Sequence, residues 1–133
     1  MVEIDPLTGN AKKHTCFGRY AHECATVVRA KDGRLVVYSG DDKADEFLYK
    51  FVSDHKNNFT SGTLYVADTK KGKWLSLDWS SQEILKKNFK NQLDVLIHCR
   101  DAGRLLGATP LDRPEDIQMH PQSGDVFVCL TMN

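Results

Sequence analysis

The sequence predicts a mainly β fold of antiparallel hairpins with one inserted amphipathic helical segment. Three observations indicate this class. Short apolar runs alternate with turns rich in Gly, Asp and Asn, a single stretch shows helical periodicity, and two hairpin-like segments have a similar form. Short strands at near-regular spacing are typical of sandwiches, barrels and propellers, and the spacing alone leaves these three architectures open.

Strand signals fill residues 1–78, which form the strand-rich part of the chain. The turn Lys31-Asp32-Gly33 joins two of the strands and carries its glycine where a hairpin needs positive φ. His14 is expected at the surface or in a turn. Three cysteines in strand-like runs, Cys16, Cys24 and, near the end of the chain, Cys129, are expected to be small buried hydrophobes. The expected strands are residues 2–4, 13–17, 24–28, 34–38, 46–52, 63–67 and 73–77.

Residues 80–106 form the predicted helical insertion. Ser80 and Glu83 match the capping-box pattern, in which the two side chains satisfy free amides of the first helical turn. Apolar residues then recur at three- and four-residue steps, which indicates one amphipathic helix or a pair ending by Gly103 or Gly107. The residues expected to face the core are Leu85, Phe89, Leu93, Leu96 and Ile97.

Residues 108–133 are expected to begin the next blade-like unit, as a strand, a glycine turn and a second strand. This hairpin resembles the one that begins at His22. In each, an acid follows a basic group at the start of an inner strand. Propeller blades place the innermost strand against the central channel, so Glu23 and Glu115 would meet there.

Bulk composition excludes several classes of function. The 133 residues suit a single domain, and a formal net charge of zero provides no electrostatic footprint for nucleic acid. No apolar stretch is long enough to insert into a membrane, and the N-terminus lacks the pattern of a signal peptide. The chain begins inside a strand signal, so we expect it to be a piece of a longer protein. Oligomeric state, redox compartment and disulfide status remain open.

Catalytic motifs of other enzyme classes are absent from the sequence. There is no GxSxG, Walker-type glycine loop or HExxH, so serine hydrolase, nucleotide-binding and zincin functions have no support. The four cysteines show no C-x-x-C spacing, which argues against a zinc ribbon.

Two short motifs carry the chemistry that the sequence offers. Gly18–Glu23 and Asp112–Ile117 each place a carboxylate beside a basic or imidazole group at the mouth of a strand. If the strands converge, Glu23 and Glu115 could bind one metal centre while Arg113 holds an anion. The alternatives are a strand-end glutamate paired with its neighbours, and an ion pair across a turn that Pro114 stiffens.

Eight segments, in the same order, resemble the PhoX-type secreted alkaline phosphatases, a bacterial family of metal-dependent phosphatases built on a β-propeller. They are VEIDP, KKHTCFGRYAHECATVV, GRLVVYSGDD, FLYKFVS, GTLYVAD, GKWLSL, GATPLDRPEDI and GDVFVCLTMN. The resemblance implies about two blades of a propeller that needs about six. It also implies a periplasmic or extracellular parent protein.

The resemblance further implies calcium and iron ions as cofactors and a phosphate ester as the bound partner. By it, Glu23 is an iron ligand, Glu115 a carboxylate shared among the metals, and Asp41 and Asp42 calcium ligands, with Asp116 a further candidate. Arg113 is then the guanidinium that grips the substrate phosphate, because its planar fork suits that anion. The family's cysteine ligand and a phosphate-contacting asparagine correspond to positions before Met1.

The expected function is therefore part of a metal-dependent alkaline phosphatase that hydrolyses phosphate monoesters. One alternative is a non-catalytic propeller module that binds a partner or ligand. A third reading is that the fragment is inactive by itself, because ring closure normally removes the exposed sheet edges that two blades leave.

Overall fold

The computed structural model describes residues 1–131, and within them it is mainly β with one helical insertion. The strands are β1 Val2–Ile4, β2 Ala11–Lys13, β3 Thr26–Arg29, β4 Leu35–Gly40, β5 Ala44–Glu46, β6 Leu48–Ser53, β7 Gly62–Asp68, β8 Lys73–Ser76, β9 Leu111–Asp112, β10 Pro114–Met119 and β11 Val126–Leu130. The helices are α1 Glu83–Asn88, α2 Gln92–Ile97 and α3 Cys99–Leu106. The predicted class, antiparallel β with inserted helices, is confirmed.

A five-stranded antiparallel sheet in the order β3-β4-β6-β7-β8 forms the centre of the fold. Because side chains alternate along each strand, the sheet has two faces that bury different partners. One face packs against the helices and carries the larger core cluster, which includes Tyr49, Val66 and Leu85. The other face packs against the β10–β11 hairpin through Leu48, Ala67 and Ile117.

The helical insertion is three short helices rather than one or two. The chain leaves the helical conformation at Phe89 and again at His98, and each break resets which residues face inward. Leu85 and Val95 are buried, whereas Leu93 is 55% exposed and Ile97 is 39% exposed, so the prediction that Leu93 and Ile97 face the core is wrong. The helical insertion ends as expected, with Gly107 in the left-handed conformation that glycine adopts without a penalty.

The predicted capping box does not form. The residue before α1 is Gln82, whose side chain makes no capping hydrogen bond. The Ser80 hydroxyl instead donates to the Asp78 carboxylate, with an O–O distance of 2.8 Å. A local Asp–Ser turn therefore takes the hydroxyl that the capping box would have used.

The segment after β2 also departs from the prediction. The expected strand at 13–17 ends at Lys13, and the following residues turn inward, so that the Phe17 ring lies 4.4 Å from the Phe51 ring. His14 is only 5% exposed, and its Nε2 lies 2.6 Å from Glu3 Oε2. The prediction that His14 lies at the surface is therefore wrong. The prediction that Cys129 is buried is also wrong, because this residue is exposed.

Two contacts bring the end of the chain to the sheet. β9 pairs with β5, and β10 continues over the end of β4. Where β10 passes over β4, a Cβ on Gly40 would lie 1.9 Å from the carbonyl oxygen of Pro114, so only glycine allows this approach. Residues 113–115 are thereby fixed beside residues 40–42. No helix among the described residues is long and apolar enough to cross a membrane.

Candidate functional site

The candidate site is built on a short crossing between two segments, residues 21–23 and 40–42. His22 and Asp41 form an isolated antiparallel bridge. The main-chain amide of Asp42 donates to the Ala21 carbonyl at 2.9 Å, and that of Glu23 donates to the Gly40 carbonyl at 3.3 Å. Opposite residues of such a pair share a face and successive residues alternate. The crossing therefore presents His22 and Asp41 on one side, and Glu23 and Asp42 on the other.

Arg113 lies between two carboxylates on the second side of the crossing. Its Nη2 is 2.7 Å from Asp42 Oδ1 and 2.9 Å from Glu115 Oε1, and its Nε donates to the same Asp42 oxygen at 2.9 Å. All three side chains are partly exposed. The structure thus brings together three of the predicted site residues, from positions 71 residues apart.

The backbone at Arg113 is strained. Its φ is 53°, a left-handed value that costs a non-glycine residue free energy, and it directly precedes a proline. The turn nevertheless keeps the guanidinium of Arg113 against the Glu115 carboxylate. Such outliers persist where the surrounding structure holds them, and they cluster at binding sites.

Glu23 is exposed and lies on the same side of the crossing as Asp42. Among residues 1–131 its side chain makes no hydrogen bond or ion pair. The next residue, Cys24, donates its thiol to the Glu115 carbonyl with a 3.2 Å Sγ–O distance, so a side chain of the first motif contacts the main chain of the second. The Glu23 carboxylate itself has no protein partner within residues 1–131.

Asp41 and Asp116 occupy different surroundings. Asp41 is fully buried, and both carboxylate oxygens accept hydrogen bonds from Arg100, at 2.7 and 2.8 Å. Its Oδ1 also accepts from the Ala21 amide at 3.1 Å. Asp116 is exposed, and its carboxylate accepts from the Ile117 amide. Neither carboxylate contacts Arg113 in the described residues.

The donor set fits part of a metal site. Carboxylate oxygens, as on Glu23, Asp42 and Glu115, are ligands that hard cations such as calcium prefer. Within residues 1–131, however, no group of three or more His, Cys, Asp or Glu side chains is close enough to hold an ion. The described residues thus offer single oxygen ligands rather than a complete cage.

His22 is held on the buried side of the crossing. One ring nitrogen lies 3.2 Å from Ser39 Oγ and the other lies 3.2 Å from the Gly18 carbonyl oxygen. The ring centroid lies 3.7 Å from that of Tyr20, with the two rings tilted by 37°. Burial lowers the pKa of His22. These contacts fix the His22 ring by hydrogen bonds to protein atoms within the isolated bridge.

Sequence reasoning missed the cationic groups of α3. Hydrogen bonds to Asp41 raise the pKa of the Arg100 guanidinium, and Arg104 Nη2 lies 2.6 Å from Oε1 of buried Glu46. The usable signal was their spacing, because residues four apart share a helix face. A cavity of about 530 Å³ opens beside them, lined also by Arg19 and Lys43.

The sequence and the fold both match known proteins. The family model described as alkaline phosphatase PhoX matches residues 1–133. The fold is similar to the solved structure of Pseudomonas fluorescens PhoX in complex with vanadate, a transition state analogue. That match has a TM-score of 0.85 and 39% sequence identity, and it covers 96% of this chain. It covers 26% of the other chain, so the present chain spans about a quarter of that length. No curated protein matches.

Proposed function

Because the chain belongs to the PhoX alkaline phosphatase family, we propose that the protein carrying it hydrolyses phosphate monoesters and that this chain supplies part of the active site. The observation that carries the proposal is the position of Arg113 between Asp42 and Glu115 on strained backbone. A guanidinium fixed in this way suits a tetrahedral anion better than a mobile ammonium.

Arg113 is the proposed phosphate-binding residue. Its hydrogen bonds to protein use Nε and Nη2, whereas Nη1 has no protein partner among residues 1–131. An arginine offers five donors, so the two carboxylates can orient the guanidinium while other N–H groups bind phosphate oxygens. As the ester bond breaks, the guanidinium would stabilise the charge that builds on those oxygens.

Glu23, Asp42 and Glu115 are the proposed ligands of calcium and iron ions in the complete site. A bound metal would polarise a phosphoryl oxygen and help to orient the attacking oxygen. We assign Asp41 to structure instead, because its buried carboxylate is already satisfied by Arg100 and by the Ala21 amide. Further ligands would come from parts of the family fold that this chain does not span.

The resemblance also supports a periplasmic or extracellular location and a phosphate-ester substrate for the parent protein. A non-catalytic binding module is the competing proposal. One observation favours it for the chain alone, namely that no three metal-ligating side chains gather within residues 1–131. Hydrolysis by the complete protein separates the two.

The test is p-nitrophenyl phosphate hydrolysis by the protein at its natural length, with vanadate as inhibitor. Arg113→Lys is expected to lower kcat/KM by about 100-fold, the usual effect of removing one positioned donor at a transition state. Glu115→Gln is expected to lower it by about 10- to 100-fold, because it removes a carboxylate that orients Arg113 and is a proposed metal ligand. Arg34→Lys is the matched control, because Arg34 is also paired with a carboxylate, that of Asp32, but in an exposed hairpin turn. Full activity in Arg113→Lys would remove the assignment.

A further inference from the structure

Arg100, in the first turn of α3, connects the helical insertion to the crossing that carries the candidate site. Its Nε donates to Asp41 Oδ2 at 2.8 Å and its Nη2 donates to Oδ1 at 2.7 Å. This two-point geometry fixes orientation as well as distance. The Arg100 side chain is 29% exposed, whereas that of Asp41 is fully buried.

The Asp41 carboxylate passes this constraint on to both segments of the crossing. Its Oδ1 also accepts the amide of Ala21, which lies two residues before Glu23. Asp41 itself directly precedes Asp42. One guanidinium therefore holds a carboxylate that ties together the main chains leading to two of the proposed metal ligands.

Few main-chain hydrogen bonds keep the crossing in register. It is an isolated bridge rather than a strand ladder, with one main-chain hydrogen bond on each side. A buried carboxylate that loses its two-point partner is left with unsatisfied oxygens, which is costly, and opening of the local structure to water relieves that cost. Such an opening would move the Glu23 and Asp42 side chains, because they project from the two segments that form the crossing.

We propose that Arg100 is a positioning residue for the phosphatase site, acting through Asp41 to hold Glu23 and Asp42 in place. This role rests on the proposed function. Arg100 lies on the opposite side of the crossing from Arg113, so it orders the site from behind without contacting substrate. The helical insertion is thereby part of the site's framework rather than a peripheral addition.

The chain offers a matched control on the same helix. Arg104 lies one turn after Arg100 and its Nη2 is 2.6 Å from Oε1 of Glu46, a buried carboxylate on β5 that lies farther from Arg100, at 3.7 Å from Arg100 Nε. Arg100→Lys and Arg104→Lys each keep the charge and remove a fixed guanidinium contact to a buried acid. Only the first contact is made to the crossing.

The experiment uses the full-length protein and three measurements on each variant. These are hydrogen exchange of peptides covering residues 20–24 and 40–43, calcium titration of chelator-stripped protein by calorimetry, and kcat and KM for p-nitrophenyl phosphate. In Arg100→Lys we expect faster exchange in both peptides and calcium affinity weaker by about 10- to 100-fold, as for other residues that orient ligands from outside. Arg104→Lys should change neither the exchange rates of these peptides nor the calcium affinity. Asp41→Asn serves as a second variant with the same expected pattern.

Two results would overturn the proposal. One is wild-type exchange and calcium affinity in Arg100→Lys. The other is equal loss in Arg104→Lys, which would indicate a general structural role. If the wild-type protein neither binds calcium nor hydrolyses the ester, the proposed function fails first. The exchange comparison would then still decide whether Arg100 orders the crossing.

Discussion

Gly40→Ala is expected to abolish phosphatase activity in the full-length protein while the rest of the sheet stays folded. A Cβ at this position would lie 1.9 Å from the Pro114 carbonyl oxygen and 2.6 Å from its carbonyl carbon. Both are main-chain atoms, so no side-chain rotation relieves the clash. To reach an ordinary contact distance of 3.4 Å, the start of β10 must move away by roughly 1.5 Å.

That displacement falls directly on the candidate site, because Pro114 separates Arg113 from Glu115. A misplacement of about 1 Å can cost on the order of 100-fold in rate, so the expected loss of kcat/KM is at least that large. Forcing an extra methyl group into a packed position costs about 1–3 kcal/mol in the free energy of unfolding. The protein should therefore stay folded while kcat/KM falls by about 100-fold or more.

The assay is steady-state hydrolysis of p-nitrophenyl phosphate together with urea unfolding. Gly124→Ala is the control, since Gly124 lies in the turn of the same hairpin with a φ of 78° and has no atom within 4 Å of an added Cβ. Gly124→Ala should lower the free energy of unfolding by about 1 kcal/mol, because alanine is strained at this positive φ, and it should leave kcat/KM unchanged. A Gly40→Ala protein with the wild-type kcat/KM would refute the claim that the close approach of Gly40 and Pro114 positions the candidate site.

Three further outcomes are expected. Exhaustive chelation of divalent cations should stop hydrolysis and added calcium should restore it, whereas activity that survives chelation would exclude the metal role. Thr26→Val removes the 2.5 Å hydrogen bond from the Thr26 hydroxyl to the Ile117 carbonyl, which joins β3 to β10, and should lower the free energy of unfolding by about 1 kcal/mol. An unchanged urea midpoint would argue against this contact. Burial raises the pKa of Cys99 from 9.0 to about 11, so the stability that this group contributes is present below pH 9 and is lost as the pH rises from 9 to 11, by up to roughly 3 kcal/mol. Cys99→Ala should flatten the alkaline limb of the stability curve, and an unchanged slope would show that the buried thiol is not the cause.

Much of the fold could be predicted because its signals are local. The apolar runs of β4, β6 and β7 mark strands that are buried in the centre of the sheet, and Gly33 marks a hairpin whatever lies around it. The helical insertion could also be placed, although its two breaks could not. Helix continuity at Phe89 and His98 depends on what the flanking turns pack against.

The errors arose where several partners compete for one side chain. His14 looks like a surface residue in sequence, yet it is buried because Glu3 of the neighbouring strand and two aromatic rings enclose it. Ser80 could have capped α1, but Asp78 competes for its hydroxyl. In both cases several partners were chemically possible, and the packing selected one.

The same division applies to the candidate site. By itself, the sequence determined the mainly β class, the order of motifs and the family, because these follow from residue types and their succession along the chain. It could not separate Asp41 from Asp42, which are adjacent and chemically identical. Only the tertiary structure decided that Asp41 meets Arg100, 59 residues away, while Asp42 meets Arg113, 71 residues away. The physical reason is the alternation of side chains across an extended backbone, which sends two neighbouring carboxylates to opposite sides of the crossing.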